Sequence, residues 1–75
     1  MATSGKRIVL TGVSRGLGLA MATGFIEAGH TVYGCARSES SLAELRARWP
    51  SPHRFDAVDV ADDGAVGRWA ARVLA

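Results

Sequence analysis

The chain has 75 residues, 48% of them hydrophobic and 21% charged, a globular composition that leaves room for at most one small domain. Its formal charge of +2 comes from eight arginines and one lysine spread between Lys6 and Arg72, without the clustering that a nucleic-acid partner needs. Residues 1–7 carry no apolar leader core and no apolar run approaches a membrane span, so the expectation is a soluble, cytoplasmic protein with no membrane partner.

Lys6–Leu10 reads as a first strand, because Ile8-Val9-Leu10 is continuously apolar, as in a parallel strand covered on both faces. Thr11-Gly12-Val13-Ser14-Arg15-Gly16-Leu17-Gly18 follows it and runs directly into a helical pattern. Three glycines therefore stand where a strand meets a helix start, whose unpaired N–H groups and positive dipole end suit a pyrophosphate. Helical spacing assigns Leu17, Met21, Gly24, Phe25 and Ala28 to the face against the sheet, with Gly24 permitting close packing and Gly29 as the residue after the C-cap.

Thr31–Ala36 supplies a second strand, in which the lone Cys35 reads as a buried structural thiol. Ser38–Ser41 offers several N-caps for a second helix, Ser41 and Glu44 matching a capping box; Leu42, Leu45 and Trp49 form its apolar stripe, and Pro50 and Pro52 end it. Arg54–Val60 is the third strand. Asp62 or Asp63 then caps a third helix carrying Val66, Trp69, Ala70, Val73 and Leu74. The order β-α-β-α-β-α with right-handed crossovers predicts a Rossmann-type α/β fold, a parallel sheet of strand order 3-2-1 with the first strand at an edge. The arginines at 46, 48, 68 and 72 read as solvated helix faces, and both tryptophans as core or interface residues. His30 and His53 lack ligand spacing, so no metal site is expected.

The glycine spacing is G-x-x-x-G-x-G, and no Gly-Lys-Ser or Gly-Lys-Thr follows, which argues against a P-loop NTPase. Preceded by Thr11 and close to the N-terminus, this loop resembles the cofactor loop of the short-chain dehydrogenase/reductase family. The resemblance continues in register through Cys35-Ala36-Arg37 and Asp59-Val60, over nearly all of the chain. It implies that residues 1–75 are the N-terminal, partial NAD(P)-binding Rossmann domain of such a protein. By this resemblance Gly12, Gly16 and Gly18 shape the loop, while Ser14 and the backbone at Leu17 and Gly18 contact phosphate or ribose. Asp59 accepts a hydrogen bond from the adenine amino group and Val60 packs beside the ring. Ser14 also suits a plain turn, and Asp59 a turn or cap.

Cofactor choice falls at the end of the second strand, where an acid would favour an unphosphorylated ribose. Here Ala36-Arg37-Ser38 contains no acid; Arg37 can fork onto a 2′-phosphate with Ser38 beside it. Arg15 in the loop can supply a second guanidinium, and basic residues at these two places resemble the NADP-preferring members, so NADP is expected over NAD. The family's catalytic Ser, Asn and Tyr-x-x-x-Lys find no match: the chain has no asparagine, Tyr33 is followed four residues later by Arg37, and Lys6 precedes the first strand. The resemblance therefore implies the NADP(H)-binding segment of an oxidoreductase that, when intact, transfers hydride between NADP(H) and a carbonyl or alcohol substrate. A free-standing, non-catalytic nucleotide-binding or regulatory module stays open beside it, as does a homo-oligomer joined through the first-strand edge.

Overall fold

A computed structural model of the chain describes residues 5–74; residues 1–4, on which part of the leader reading falls, and residue 75 lie outside them. The elements are β1 (Arg7–Thr11), α1 (Gly16–Glu27), β2 (Thr31–Ala36), α2 (Glu39–Arg48), β3 (Arg54–Ala57) and α3 (Asp63–Leu74). All three strands are parallel, in the order β1-β2-β3, with Arg7 beside Thr31 and Tyr33 beside Arg54. Each crossover helix returns the chain to the same end of the sheet, which is what parallel pairing requires.

Side chains alternate across the sheet. Ile8, Leu10, Val32, Ala36 and Phe55 meet residues of α1 and α2, among them Ala22, Leu42 and Leu45. Val9, Tyr33 and Cys35 pack on the opposite side with Trp69 and Val73 of α3. The period of two along each strand thus feeds two separate cores, and this explains why Ile8-Val9-Leu10 of β1 is continuously apolar. Trp69 is 1% exposed, and its indole N–H donates to Asp56 Oδ2 at 2.8 Å, so the ring is buried with its polar end satisfied. Trp49 packs on the other core with its ring centroid 6.4 Å from that of Phe55.

The ends of the helices follow local chemistry. Gly29, at φ 94°, closes α1: its N–H donates to the Ile26 carbonyl and that of His30 to the Phe25 carbonyl, the paired bonds of a Schellman motif. Asp62 is the cap of α3, its Oδ1 accepting from the Ala65 N–H at 3.0 Å.

Four expectations shift. α1 presents Leu19, Ala22, Phe25 and Ile26 to the sheet, whereas Leu17, Met21, Gly24 and Ala28 are exposed; the inner face is turned from the one expected. The cap of α2 is Ser38, three residues before the Ser41 of the expected capping box, because Ser38 Oγ accepts the Ser41 N–H at 3.3 Å. β3 ends at Ala57 rather than Val60, since its partner β2 ends at Ala36, opposite Ala57. Leu74 is 44% exposed rather than part of the buried stripe of α3.

Candidate functional site

β1 delivers the chain to Gly12, whose N–H donates to the Cys35 carbonyl at 2.8 Å and so fastens the start of the following loop to β2. Gly12 and Gly16 have φ of 68° and 62°, left-handed conformations that bend the loop back toward the sheet and favour glycine. Gly18 lies one position into α1 beyond Leu17, and a Cβ there would collide with the Gly12 carbonyl oxygen. The missing side chain lets the first turn of α1 press against the loop.

Arg15 is the N-cap residue of α1, in an extended conformation; it makes no side-chain cap, and the first turn holds no acid. The N–H groups of Gly16, Leu17 and Gly18 precede the first intrahelical donor, Leu19, which bonds the Arg15 carbonyl at 3.3 Å. These backbone groups and the helix dipole give the end of α1 a positive potential, unneutralised by any neighbour in the same turn.

On the other side, β2 ends in Ala36 and the chain passes through Arg37 and Ser38 into α2. A cleft of about 740 Å3 lies between these two strand-to-helix junctions, lined by Gly12, Ser14, Arg15, Ala36, Arg37 and Ser38, and closed by Ser41 and Val60. Its volume is of the order that holds small-molecule ligands. Both arginines singled out in the sequence therefore share one cavity.

Glu39, the acid in the first turn of α2, is drawn away: Arg46 Nη1 and Nη2 donate to its two oxygens at 2.6 and 3.3 Å, while Arg46 Nε donates to the Phe55 carbonyl at 2.8 Å. The Glu39 bond pushes the Arg46 pKa further up. Arg46 is thus not simply a solvated charge; it pins α2 to β3.

The remaining candidates divide. Gly16, Leu17 and Gly18 sit in the first turn of α1, outside the lining, with the Leu17 side chain 76% exposed; what they offer is backbone. Asp59 stands beside the cleft, its Oδ1 accepting from the Ala61 N–H at 3.0 Å and lying 3.5 Å from Arg37 Nε. It also lines a smaller hollow of about 300 Å3 with Arg68, Trp69 and Arg72 of α3. Ser41 was not foreseen as a site residue. Its contribution follows from the earlier start of α2, which places it in the first turn of that helix, against the cleft. Tyr33 packs in the core beneath α3, with Cys35, Trp69 and Val73.

The geometry can be set beside known proteins. A sequence profile of the family described as short chain dehydrogenase matches residues 6–75. An NADPH-dependent pterin aldehyde reductase of Arabidopsis thaliana is 37% identical over 71 residues, 92% of this chain and 29% of that protein. A short-chain dehydrogenase from Streptomyces avermitilis superposes with a TM-score of 0.84 at 38% identity, over 99% of this chain and 27% of that one. Pseudomonas aeruginosa RhlG, in an active-site complex with NADP, superposes with a TM-score of 0.70 at 29% identity, over 95% of this chain and 29% of its own. The chain spans less than a third of the length of each of these proteins. With the glycine loop, the parallel β1-β2-β3 order and a profile match over almost every residue in agreement, the chain belongs to the short-chain dehydrogenase family.

Proposed function

We propose that this chain is the NADP(H)-binding segment of a short-chain dehydrogenase/reductase whose intact form is an oxidoreductase acting on a carbonyl or alcohol. The observation that carries the reading is the cleft in which Arg15 and Arg37 converge on the strand end that selects between the two nicotinamide dinucleotides. The residues fit the group. The uncapped start of α1 offers N–H donors to a pyrophosphate, and Gly18 removes the Cβ that would hold the loop away. Ser14 and Ser38 stand in the same lining with hydroxyls for ribose or phosphate, and Val60 gives an apolar contact for a base. Asp59 is held by its own turn with a carboxylate oxygen for an amino group.

The chemistry such a cofactor would supply when bound is hydride transfer, to a carbonyl carbon from its reduced form or from an alcohol to its oxidised form. The chain's own residues bind and orient; the proton-transfer residues of the family have no counterpart, since Tyr33 belongs to the core under α3 and the fourth residue after it is Arg37. The NADPH-dependent relative and the NADP complex of RhlG support the choice of NADP over NAD.

Calorimetric titration of NADPH and NADH into the parent and an Arg37→Asp variant tests the proposal. A charge-assisted contact contributes roughly 1.5–3 kcal/mol. Arg37 is 68% exposed, so screening reduces this by about half, and the parent should prefer NADPH by roughly three- to tenfold. Arg37→Asp removes a donor from the phosphate and offers an acceptor to the ribose hydroxyls, so preference should reverse. Equal NADPH affinity in the two proteins would take Arg37 out of the site.

A further inference from the structure

The ion pair between Arg37 and Asp59 links the residue after β2 to the turn after β3, beside the cleft that Arg37 and Val60 line. Its two sides differ in freedom. Asp59 is fixed by its turn, with Oδ1 accepting from the Ala61 N–H and its carbonyl accepting from the Asp62 N–H, each at 3.0 Å. Arg37 is 68% exposed, reaches Asp59 through Nε at 3.5 Å on a long flexible stem, and at the same time lines the cleft. One guanidinium therefore faces two acceptors of the same sign: a carboxylate supplied by the chain, and any phosphate that enters the cavity.

We propose that Asp59 is a specificity-determining residue that acts through Arg37, its carboxylate competing with the 2′-phosphate of the cofactor for the guanidinium and so holding down the preference for a phosphorylated ribose. This rests on the reading of the cleft as an NADP site. Physical considerations give the sign. A guanidinium partly neutralised at 3.5 Å presents a weaker field to a dianion, and the carboxylate itself repels one. If Asp59 instead held Arg37 ready for the phosphate, its removal would lower the preference. Exposed ion pairs are weak, so the competition amounts to a few-fold and tunes selectivity without deciding it. The position of Asp59 beside Val60 gives the exchange a chemical logic. A nucleotide that displaces Asp59 from Arg37 brings its own replacement, an adenine amino group for the carboxylate and a phosphate for the guanidinium.

The test compares adenosine 5′-monophosphate with adenosine 2′,5′-bisphosphate by calorimetric titration of the 75-residue chain, the ratio of the two dissociation constants reporting 2′-phosphate recognition alone. Asp59→Asn keeps the oxygen that accepts the Ala61 N–H and loses the charge; Asp59→Ser is a second neutral variant able to make the same turn, and circular dichroism checks that both fold. The ratio should rise roughly two- to fivefold in favour of the bisphosphate. In an Arg37→Gln background the same substitution should move the ratio much less. An unchanged or fallen ratio would overturn the proposal, and so would an equal rise without Arg37, which would indicate plain repulsion. A parent that shows no preference for the bisphosphate would instead remove the NADP reading itself, and the proposal with it.

Discussion

Cys35 is fully enclosed between β2 and α3, where burial, and after it the charge of Asp56, push its thiol pKa up against a smaller downward pull from the Gly12 backbone. In the folded chain the thiol keeps its proton at a pH where the unfolded chain has lost it. The unfolded state then binds fewer protons, so stability falls as pH rises, from the ordinary thiol range near about 8.5 up to the folded value. The urea midpoint should decline over that window in the parent and decline less steeply in Cys35→Ala; parallel slopes would clear Cys35 of responsibility. The same enclosure should make alkylation of the thiol follow unfolding. At this scale the site was partly legible. Arg37 could be placed because a strand end fixes where the next residue stands. Ser41 could not, because its distance from the cleft depends on where α2 starts, and that is decided by which of several adjacent serines takes the cap. Nor does a sequence say that Arg37 and Asp59, 22 residues apart, meet across two strand ends.

Among the elements, α1 shows what periodicity leaves open. Leu17, Leu19, Met21, Ala22, Phe25 and Ile26 spread over more than half of the helix circumference, wider than one buried face, so more than one choice of face satisfies the same spacing. The contact of Gly18 with the Gly12 carbonyl fixes the rotation, and it turns Ala22 inward and Gly24 outward. Order and direction of all six elements were legible, and the approximate length of all but β3, because apolar runs and turn residues mark them; rotation about a helix axis depends on a backbone contact that no pattern encodes. Three glycine substitutions separate the cases. Gly24→Ala, with nothing within 4 Å of the new methyl, should stabilise by roughly 0.5–1 kcal/mol through helix propensity alone. Gly34→Ala places a methyl 2.8 and 2.9 Å from the Val13 methyls and 3.2 Å from the Phe55 ring, inside a closed core, and should cost about 1–3 kcal/mol. Gly18→Ala meets backbone, and should cost at least as much. Urea unfolding measures all three; a destabilised Gly24→Ala would restore the close packing first expected there.

For the whole molecule, the edge of the sheet and the helix surfaces beside it matter most. Among the described residues the outer edge of β1 has no strand partner, and Leu17 and Met21, one turn apart on α1, are exposed together with Leu74 at the end of α3. Unpaired strand edges and exposed apolar side chains favour association, and a chain of this size holds little surplus stability to resist it. Sedimentation and thermal unfolding should therefore depend on protein concentration; a cooperative melt that stays constant over a hundredfold dilution, in a strictly monomeric sample, would contradict this. The division of the core by the sheet has another consequence. Trp69 lies on the α3 side, with its indole N–H on a carboxylate, and Trp49 on the α2 side, with the Arg48 guanidinium 4.5 Å from its ring centre. Each layer thus carries its own natural fluorophore, and replacing either tryptophan by phenylalanine leaves a chain in which light emission reports on one layer at a time, including whether the two come apart together or in sequence.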